Sequence, residues 1–244
     1  MTQNPPGDYL NDIRLVKGHL DPATIGDIEA KSLSKAYAAL DPHGRVERLY
    51  QDFALEQIML TSSFAATSAF LLKIFSDVNK QQLVHFIDTG YHFPETIIYK
   101  DYLTKLYDLQ VEDIRAEAFK HDFTTSDQTW TKDPDFCCSV NKVEPLEQVK
   151  EGHGVWVSGL MRWQSDQRES LDIFERRGDV LKFYPLLDIS PEEREAFIKD
   201  HHLPPHPLKN KGYFSIGCSH CTVPGDDRSG RWNNNPKTEC GLHL

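Results

Sequence analysis

Residues 56–78 read EQIMLTSSFAATSAFLLKIFSDV. The apolar run Ile58, Met59 and Leu60 ends in small hydroxyl residues, and apolar positions resume at helical spacing from Ala69, which predicts strand, turn and helix. The same rhythm returns in residues 81–96, QQLVHFIDTGYHFPET. This second copy predicts a buried strand, a turn at Asp88 to Gly90, and a helix opened by Pro94 and Glu95, since proline is tolerated in a first helical turn. Residues 109–117 (LQVEDIRAE), 153–161 (HGVWVSGLM) and 181–188 (LKFYPLLD) supply a third, fourth and fifth strand, and Ser190 caps a short helix at SPEE. Strands alternating with helices imply an α/β fold, a mostly parallel sheet with helices on both faces. Ligands in such sheets sit beyond the carboxyl ends of the strands, so the turns after the first two strands are expected to face a site.

Around this core the chain divides into residues 1–50, 51–200 and 201–244 of a single domain. Ile25, Ile28, Leu33, Tyr37 and Leu40 recur at helical spacing, so the first part is expected to be helical and free of strands. The last part is rich in Pro, Gly and Asn but carries Tyr213, Phe214, Ile216 and Trp232, which predicts an irregular segment folded over the site. At 244 residues, with 39% hydrophobic and 11% aromatic residues, the chain is long enough to bury one sizeable core. No apolar run reaches the roughly 18 residues of a membrane span, and the start lacks a secretory pattern, so a cytoplasmic protein is expected. A net charge of −10 argues against a nucleic-acid partner, which clustered positive charge would have to bind. Arg162, Arg168, Arg176, Arg177, Arg228 and Arg231 gather in the last third, where they could hold a small anion.

The hydroxyls Ser62 and Ser63, at a helix N-terminus, suit a phosphate or sulfate as well as they suit a plain cap. The loop does not match G-x-x-x-x-G-K-[ST], so a Walker-type nucleotide triphosphatase is unsupported. Asp88 and Gly90 could meet a ribose or base, or simply begin the next helix. The five cysteines form an adjacent pair, Cys137 and Cys138, a C-x-x-C, Cys218 and Cys221, and a last one, Cys240. A disulfide set is not expected for a chain read as intracellular. Four thiolates in this pattern could bind zinc or an iron–sulfur cluster. Adjacent ligands are awkward at one tetrahedral ion but can each reach a different iron of a cubane, so the cluster is preferred. Cys240, near Lys237 and His243, is either a reactive thiolate or an idle surface thiol.

Taken together, SSFAATSAFLL, FIDTGYHFPETIIYKDYL, CCSVNKVEPL, SGLMRWQS, LKFYPLLD, GYFSIGCSHCT, DDRSGRW and KTECGLH resemble the assimilatory adenylyl-sulfate and phosphoadenylyl-sulfate reductases, over residues 55–244. The resemblance implies an adenine-nucleotide alpha-hydrolase-like fold and reduction of activated sulfate to sulfite. In the cluster-bearing branch it implies a 4Fe-4S cluster on Cys137, Cys138, Cys218 and Cys221, with Cys240 as nucleophile forming an S-sulfocysteine that thioredoxin or glutaredoxin resolves. Lys142 corresponds to a lysine between cluster and substrate, and Arg228 and Arg231 to arginines that grip the phosphosulfate. Arg162 and Arg168 correspond to nucleotide or sulfate contacts, and His243 lies near the nucleophile. Ala65 stands where the family usually has Gly, Met161 replaces a frequent arginine, and RWNNN replaces a tryptophan-rich run. The cysteine pattern favours adenylyl sulfate, whereas the two strand-end loops resemble the phosphoadenylyl-sulfate branch, so the phosphorylated substrate or dual specificity is the alternative. An adenylating relative would need an S-G-G-x-D-S loop, which is missing, and a non-catalytic metal or cluster sensor is the remaining alternative. A homo-oligomer is compatible with all of these readings.

Overall fold

A computed structural model of the protein describes residues 13–232 and residue 241; Cys240 and His243 lie outside the described residues. Six strands make a mostly parallel sheet, which with the helices gives the expected α/β class. The described residues fall into two compact units, one of residues 13–59 and 152–189, the other of residues 60–151, 190–232 and 241.

The first unit departs from expectation at its start. Leu15–Val16 (β1) and His19–Leu20 (β2) pair antiparallel, so the N-terminal part is not purely helical. Gly18, with φ +89°, makes the turn between them, and two residues per strand are too few to leave a period in the sequence. Two helices follow, Asp27–Ala38 (α1) and Pro42–Asp52 (α2). The Glu29 carboxylate accepts from Gly26 N–H at 2.9 Å and Asp41 from Gly44 N–H at 2.7 Å, so both N-termini have partners for their orphan donors. The strands Val155–Val157 (β6) and Val180–Phe183 (β8) run parallel; Phe174–Arg177 (β7) pairs antiparallel with β8. β7 was not expected, because FERR carries a single large apolar residue. That residue, Phe174, is buried, stacked on Phe183 at 4.5 Å and edge-on to Tyr37 at 4.7 Å. Arg45, 3% exposed, forks onto Asp188 at 2.5 and 2.7 Å and so carries its charge into the core with a partner.

The second unit holds the repeated motif. Ile58–Thr61 (β3), which starts in the first unit, pairs parallel with Leu83–Ile87 (β4) through Leu60 and Thr61, and β4 pairs parallel with Gln110–Ile114 (β5). Ser68–Val78 (α3) follows β3 and Pro94–Tyr107 (α4) follows β4, as the sequence rhythm predicts. α3 buries Phe70, Leu71, Leu72, Ile74 and Phe75, while α4 ends on Asp108 in the left-handed region at φ 54°. Between β5 and β6 lie Ala118–Ser126 (α5), Thr129–Lys132 (α6), Pro134–Cys138 (α7), a π-turn over Ser139–Val143, and Glu144–Lys150 (α8). Ser190 caps Pro191–Asp200 (α9), with Glu193 completing a capping box, and Phe197 stacks on Phe70 of α3 at 3.9 Å. After α9 the described chain has only 3-10 turns and isolated bridges, the irregular segment expected.

His206 anchors that segment. Its Nδ1 accepts from Leu208 N–H at 3.1 Å, which leaves the proton on Nε2, facing Thr96 Oγ1 at 3.2 Å. Burial pushes the imidazole down to about 4, against the opposing pull of Glu95. Protonation would also set an N–H against the Leu208 N–H. The unfolded chain takes up this proton near 6.5 and the folded chain only near 4, so this contribution is complete above about pH 6.5 and is lost as pH falls towards 4. We expect Tm to fall by several degrees between about pH 7 and pH 5, and His206→Leu to be less stable at pH 7 but with a flatter pH profile. Thermal melts of both proteins across that range check this; parallel profiles would refute it.

Candidate functional site

Two backbone features shape the turns after β3 and β4. Ser62 is buried, with its N–H donating to His85 C=O at 3.2 Å and its hydroxyl accepting from Phe64 N–H at 3.2 Å. Phe64 sits at φ 47°, uncommon for a bulky residue, and is held there by complete burial edge-on to Phe86 at 5.6 Å. Ser63, beside it, is exposed. At the second turn Asp88 accepts from Gly90 N–H at 3.0 Å and pairs with Arg115 at 2.7 Å. Burial opposes ionisation of Asp88, but the Gly90 amide, Arg115 and His92 hold its carboxyl below the usual range. Arg115 lies just past β5, and only the sheet brings it to Asp88.

Gly90 has φ +72°, and a Cβ there would stand 2.5 Å from His121 Cε1. The His121 ring is held by Asn141 Oδ1 at 3.0 Å and packs on Tyr91 at 4.8 Å, so it has little freedom to retreat. We expect Gly90→Ala to cost about 2–4 kcal/mol from the left-handed backbone and the overpacking together. Adding His121→Ala should restore part of that loss in urea unfolding; an unchanged midpoint in the single variant would refute the clash.

The cysteines converge in the second unit. Asp133 starts α7 by accepting from Phe136 N–H at 2.9 Å, and Cys137 and Cys138 occupy the last two positions of that helix. Successive helical residues point about 100° apart, so the two side chains diverge. The C-x-x-C spans a 3-10 turn at Ser219–Cys221, where Ser219 donates to Tyr91 C=O from its N–H at 2.7 Å and from its hydroxyl at 3.0 Å. A bridge between His92 and Cys218 fixes this turn beside the end of β4. All four cysteines line one cavity together with Thr89, Asn141 and Lys142. Among the described residues no group of three or more His, Cys, Asp or Glu side chains closes around a point as the ligands of a single metal ion would.

Charge in this cavity is unevenly shared. Burial, reinforced by the neighbouring cysteines, pushes the Cys137 thiol up to about 12 and Cys221 up to about 11. Cys218 is buried too, yet Lys142, the Thr89 hydroxyl at 3.3 Å and Arg231 hold it below its ordinary value. Lys142, itself 9% exposed, is thus the buried cation set among the thiols. Burial thus favours the neutral thiols of Cys137 and Cys221, and a cationic group sharing the cavity would favour their thiolates. Four sulfurs in one cavity, with those of Cys137 and Cys138 on diverging bonds, suit a polynuclear group better than one ion.

The structure therefore brings Lys142, and Thr89 between Asp88 and Gly90, to one place with Cys137, Cys138, Cys218 and Cys221. Arg231 donates to Ile216 C=O at 3.1 Å and lies over Trp232 at 4.6 Å; its Nε has no partner. Arg228 faces the same ring at 5.8 Å. Arg162 and Arg168 belong to the other unit, on 3-10 turns after β6. Arg162 donates to Leu171 C=O at 3.0 Å and keeps a buried Nε without a partner, and Arg168 is buried against Gln164. Gly241, next to the candidate nucleophile, lies where a Cβ would meet Val143 at 3.4 Å, adjacent to Lys142. Sequence reasoning assigned no role to Thr89, Tyr91, Trp130, Asn141 or His220, although all but Trp130 stand inside motifs already singled out.

Comparison with known proteins follows the same lines. Residues 57–224 match the model of the phosphoadenosine phosphosulfate reductase domain. An adenosine 5'-phosphosulfate reductase of Chelativorans sp. is 37% identical over 226 residues, covering 89% of this chain and 92% of the relative. A phosphoadenosine 5'-phosphosulfate reductase of Gloeobacter violaceus is 34% identical, covering 90% and 95%. The crystal structure of phosphoadenylyl-sulfate reductase from Candida auris superposes with a TM-score of 0.70 at 24% identity, over 82% of this chain and 98% of that one, and so shares the fold. With its core matched by that domain and relatives aligned along nearly its whole length, the chain belongs to the phosphoadenosine phosphosulfate reductase family.

Proposed function

We propose that the protein, as a single reductase domain, converts adenylyl sulfate to sulfite and AMP in the cytoplasm, as a step of sulfate assimilation. The observation that carries this reading is the convergence of Cys137, Cys138, Cys218, Cys221 and Lys142 beside the Asp88–Gly90 turn, the same turn at which ligands of parallel α/β sheets bind. Among the described residues no helix is long and apolar enough to cross a membrane, which agrees with this placement.

The chemistry needs one thiolate and a set of cations. The Cys240 thiolate attacks the sulfur of the sulfo group; the bond from that sulfur to the bridging phosphate oxygen breaks, and AMP leaves with the electron pair. The enzyme now carries an S-sulfocysteine. A thiolate of thioredoxin or glutaredoxin attacks Cys240 Sγ, sulfite departs with the electron pair of the sulfur–sulfur bond, and the second thiol of the reductant closes its own disulfide while freeing Cys240. Negative charge grows on the departing phosphate and is spread over the sulfo oxygens, so fixed cations lower the barrier. Lys142, Arg162, Arg168, Arg228 and Arg231 are assigned to that task, Ser62, Ser63, Asp88 and Gly90 to the nucleotide, and His243 to the neighbourhood of Cys240. The position of Gly241 beside Val143 supports an approach of the chain end to Lys142.

Cys137, Cys138, Cys218 and Cys221 would hold a 4Fe-4S cluster, which would supply a rigid, charged framework next to Lys142. The runner-up reading, phosphoadenylyl sulfate as substrate with adenosine 3',5'-bisphosphate as product, is favoured by the similarity to the Gloeobacter violaceus reductase. Sulfite formation with thioredoxin, measured in parallel from adenylyl sulfate and from its 3'-phosphorylated form, decides between them. A higher kcat/KM for adenylyl sulfate is expected. Preference for the phosphorylated form would reverse the assignment, and no sulfite from either would favour a sensor.

A further inference from the structure

One face of the cysteine cavity is walled by three rings that the reaction does not use. Trp130, from the short helix α6, packs against the buried group of Tyr91, Cys137 and Cys218. His220, the residue between the two C-x-x-C cysteines, lies flat on Trp130, with centroids 4.1 Å apart and planes 8° from parallel. Tyr91 meets both rings, at 5.2 Å and 5.5 Å. The stack is graded from inside to outside: Tyr91 is buried, Trp130 half-buried and His220 exposed.

Its inner end is fixed. The Tyr91 hydroxyl bonds to Thr124 and Thr125 at 2.8 Å each, and its backbone carbonyl accepts both donors of Ser219. Tyr91 therefore ties the turn that carries His220 to α5, the helix immediately before the one that carries Trp130. Gln128, with φ 49°, turns the chain just before Trp130 and aims α6 at the cavity. An exposed histidine gains little from lying flat on a tryptophan unless the stack does something, since such pairs add only about 0.5–1.5 kcal/mol.

We propose that Tyr91, Trp130 and His220 form a lid of rings that keeps water and dissolved solutes from the sulfurs of Cys137, Cys138, Cys218 and Cys221. Trp130 is the plate of the lid and His220 its outer cover. The apolar shell around such a site controls the access of solvent to it. The inference rests on the cluster reading for the identity of what is shielded, but the shielding of the sulfurs can be measured without it.

The test is the decay of the visible absorption near 400 nm of the cluster-loaded protein in excess EDTA under argon. Trp130→Ala should bleach about tenfold faster than the wild type, and Trp130→Phe, which restores a ring, should bleach near the wild-type rate. His220→Ala, at an exposed position with no folding risk, should load the same iron, melt at the same temperature and still bleach faster. Bleaching of His220→Ala and Trp130→Ala at the wild-type rate would overturn the proposal. Should Trp130→Ala fail to fold, His220→Ala alone decides. Wild-type protein with no absorption near 400 nm would refute the cluster reading instead; the lid is then judged by the rate at which iodoacetamide alkylates Cys137 and Cys138. Faster alkylation in the variants supports it, and equal rates overturn it.

Discussion

Cys240→Ser is expected to abolish sulfite release, lowering turnover by at least about 10³-fold, while leaving visible absorption at the wild-type level. A serine hydroxyl ionises far above neutral pH and is a much poorer nucleophile than a thiolate, so neither the attack on the sulfo group nor the sulfur–sulfur bond that the reductant cleaves is available. The four cysteines proposed to hold the cluster lie elsewhere in the sequence, two on α7 and two around a 3-10 turn, so the substitution leaves their cavity intact. Single-turnover assays with labelled adenylyl sulfate, coupled to an absorption spectrum, read both halves. Sulfite release near the wild-type rate would remove Cys240 from the mechanism, and with it the S-sulfocysteine.

Lys142→Ala is expected to lower kcat by about 10²-fold, with a smaller rise in KM, as for the loss of one preorganised group facing charge that develops in the transition state. The residue is well placed for such an effect. It is 9% exposed, in a π-turn directly after the cysteine pair, and its charge acts on Cys137, Cys218, Cys221 and His92. A cation so poorly screened acts more strongly than one in water. Lys142→Arg keeps the charge but spreads it over a larger planar group, so it should recover only part of the rate. Steady-state kinetics with adenylyl sulfate check both. Turnover of the alanine variant within a factor of about three of wild type would reduce Lys142 to a structural counter-charge for the thiols.

These two predictions differ in what they owe to the sequence. Cys240 stands out through its motif alone, with no described structure behind it. Lys142 was conspicuous as a lysine four residues after a cysteine pair, but its burial and its neighbours depend on the fold. The same division runs through the elements. β3, α3, β4, α4 and α9 were legible because hydrophobic period and capping residues are local properties, read within a dozen positions. β7 was not, since FERR acquires its strand by pairing with β8 and by the stacking of Phe174 on Phe183. The β1–β2 hairpin and the helices α5 to α8 were missed for the same reason: they are too short to repeat a pattern and owe their order to tertiary packing.

By itself the sequence determined the α/β class, the two strand-end turns, the spacing of the cysteines and the gathering of arginines in the last third. These rest on residue type and spacing, which the chain carries wherever it goes. Only the tertiary structure decided which of them meet. It set the C-x-x-C turn beside β4 through the bridge between His92 and Cys218, and it brought Arg115 to Asp88 across the sheet. It also paired Arg231 with the carbonyl of Ile216, stacked Trp130 on His220 and packed both rings against Tyr91. Such meetings join residues far apart in the chain, and no local pattern encodes them because their free energy comes from burial and from partners that exist only once the chain has closed on itself.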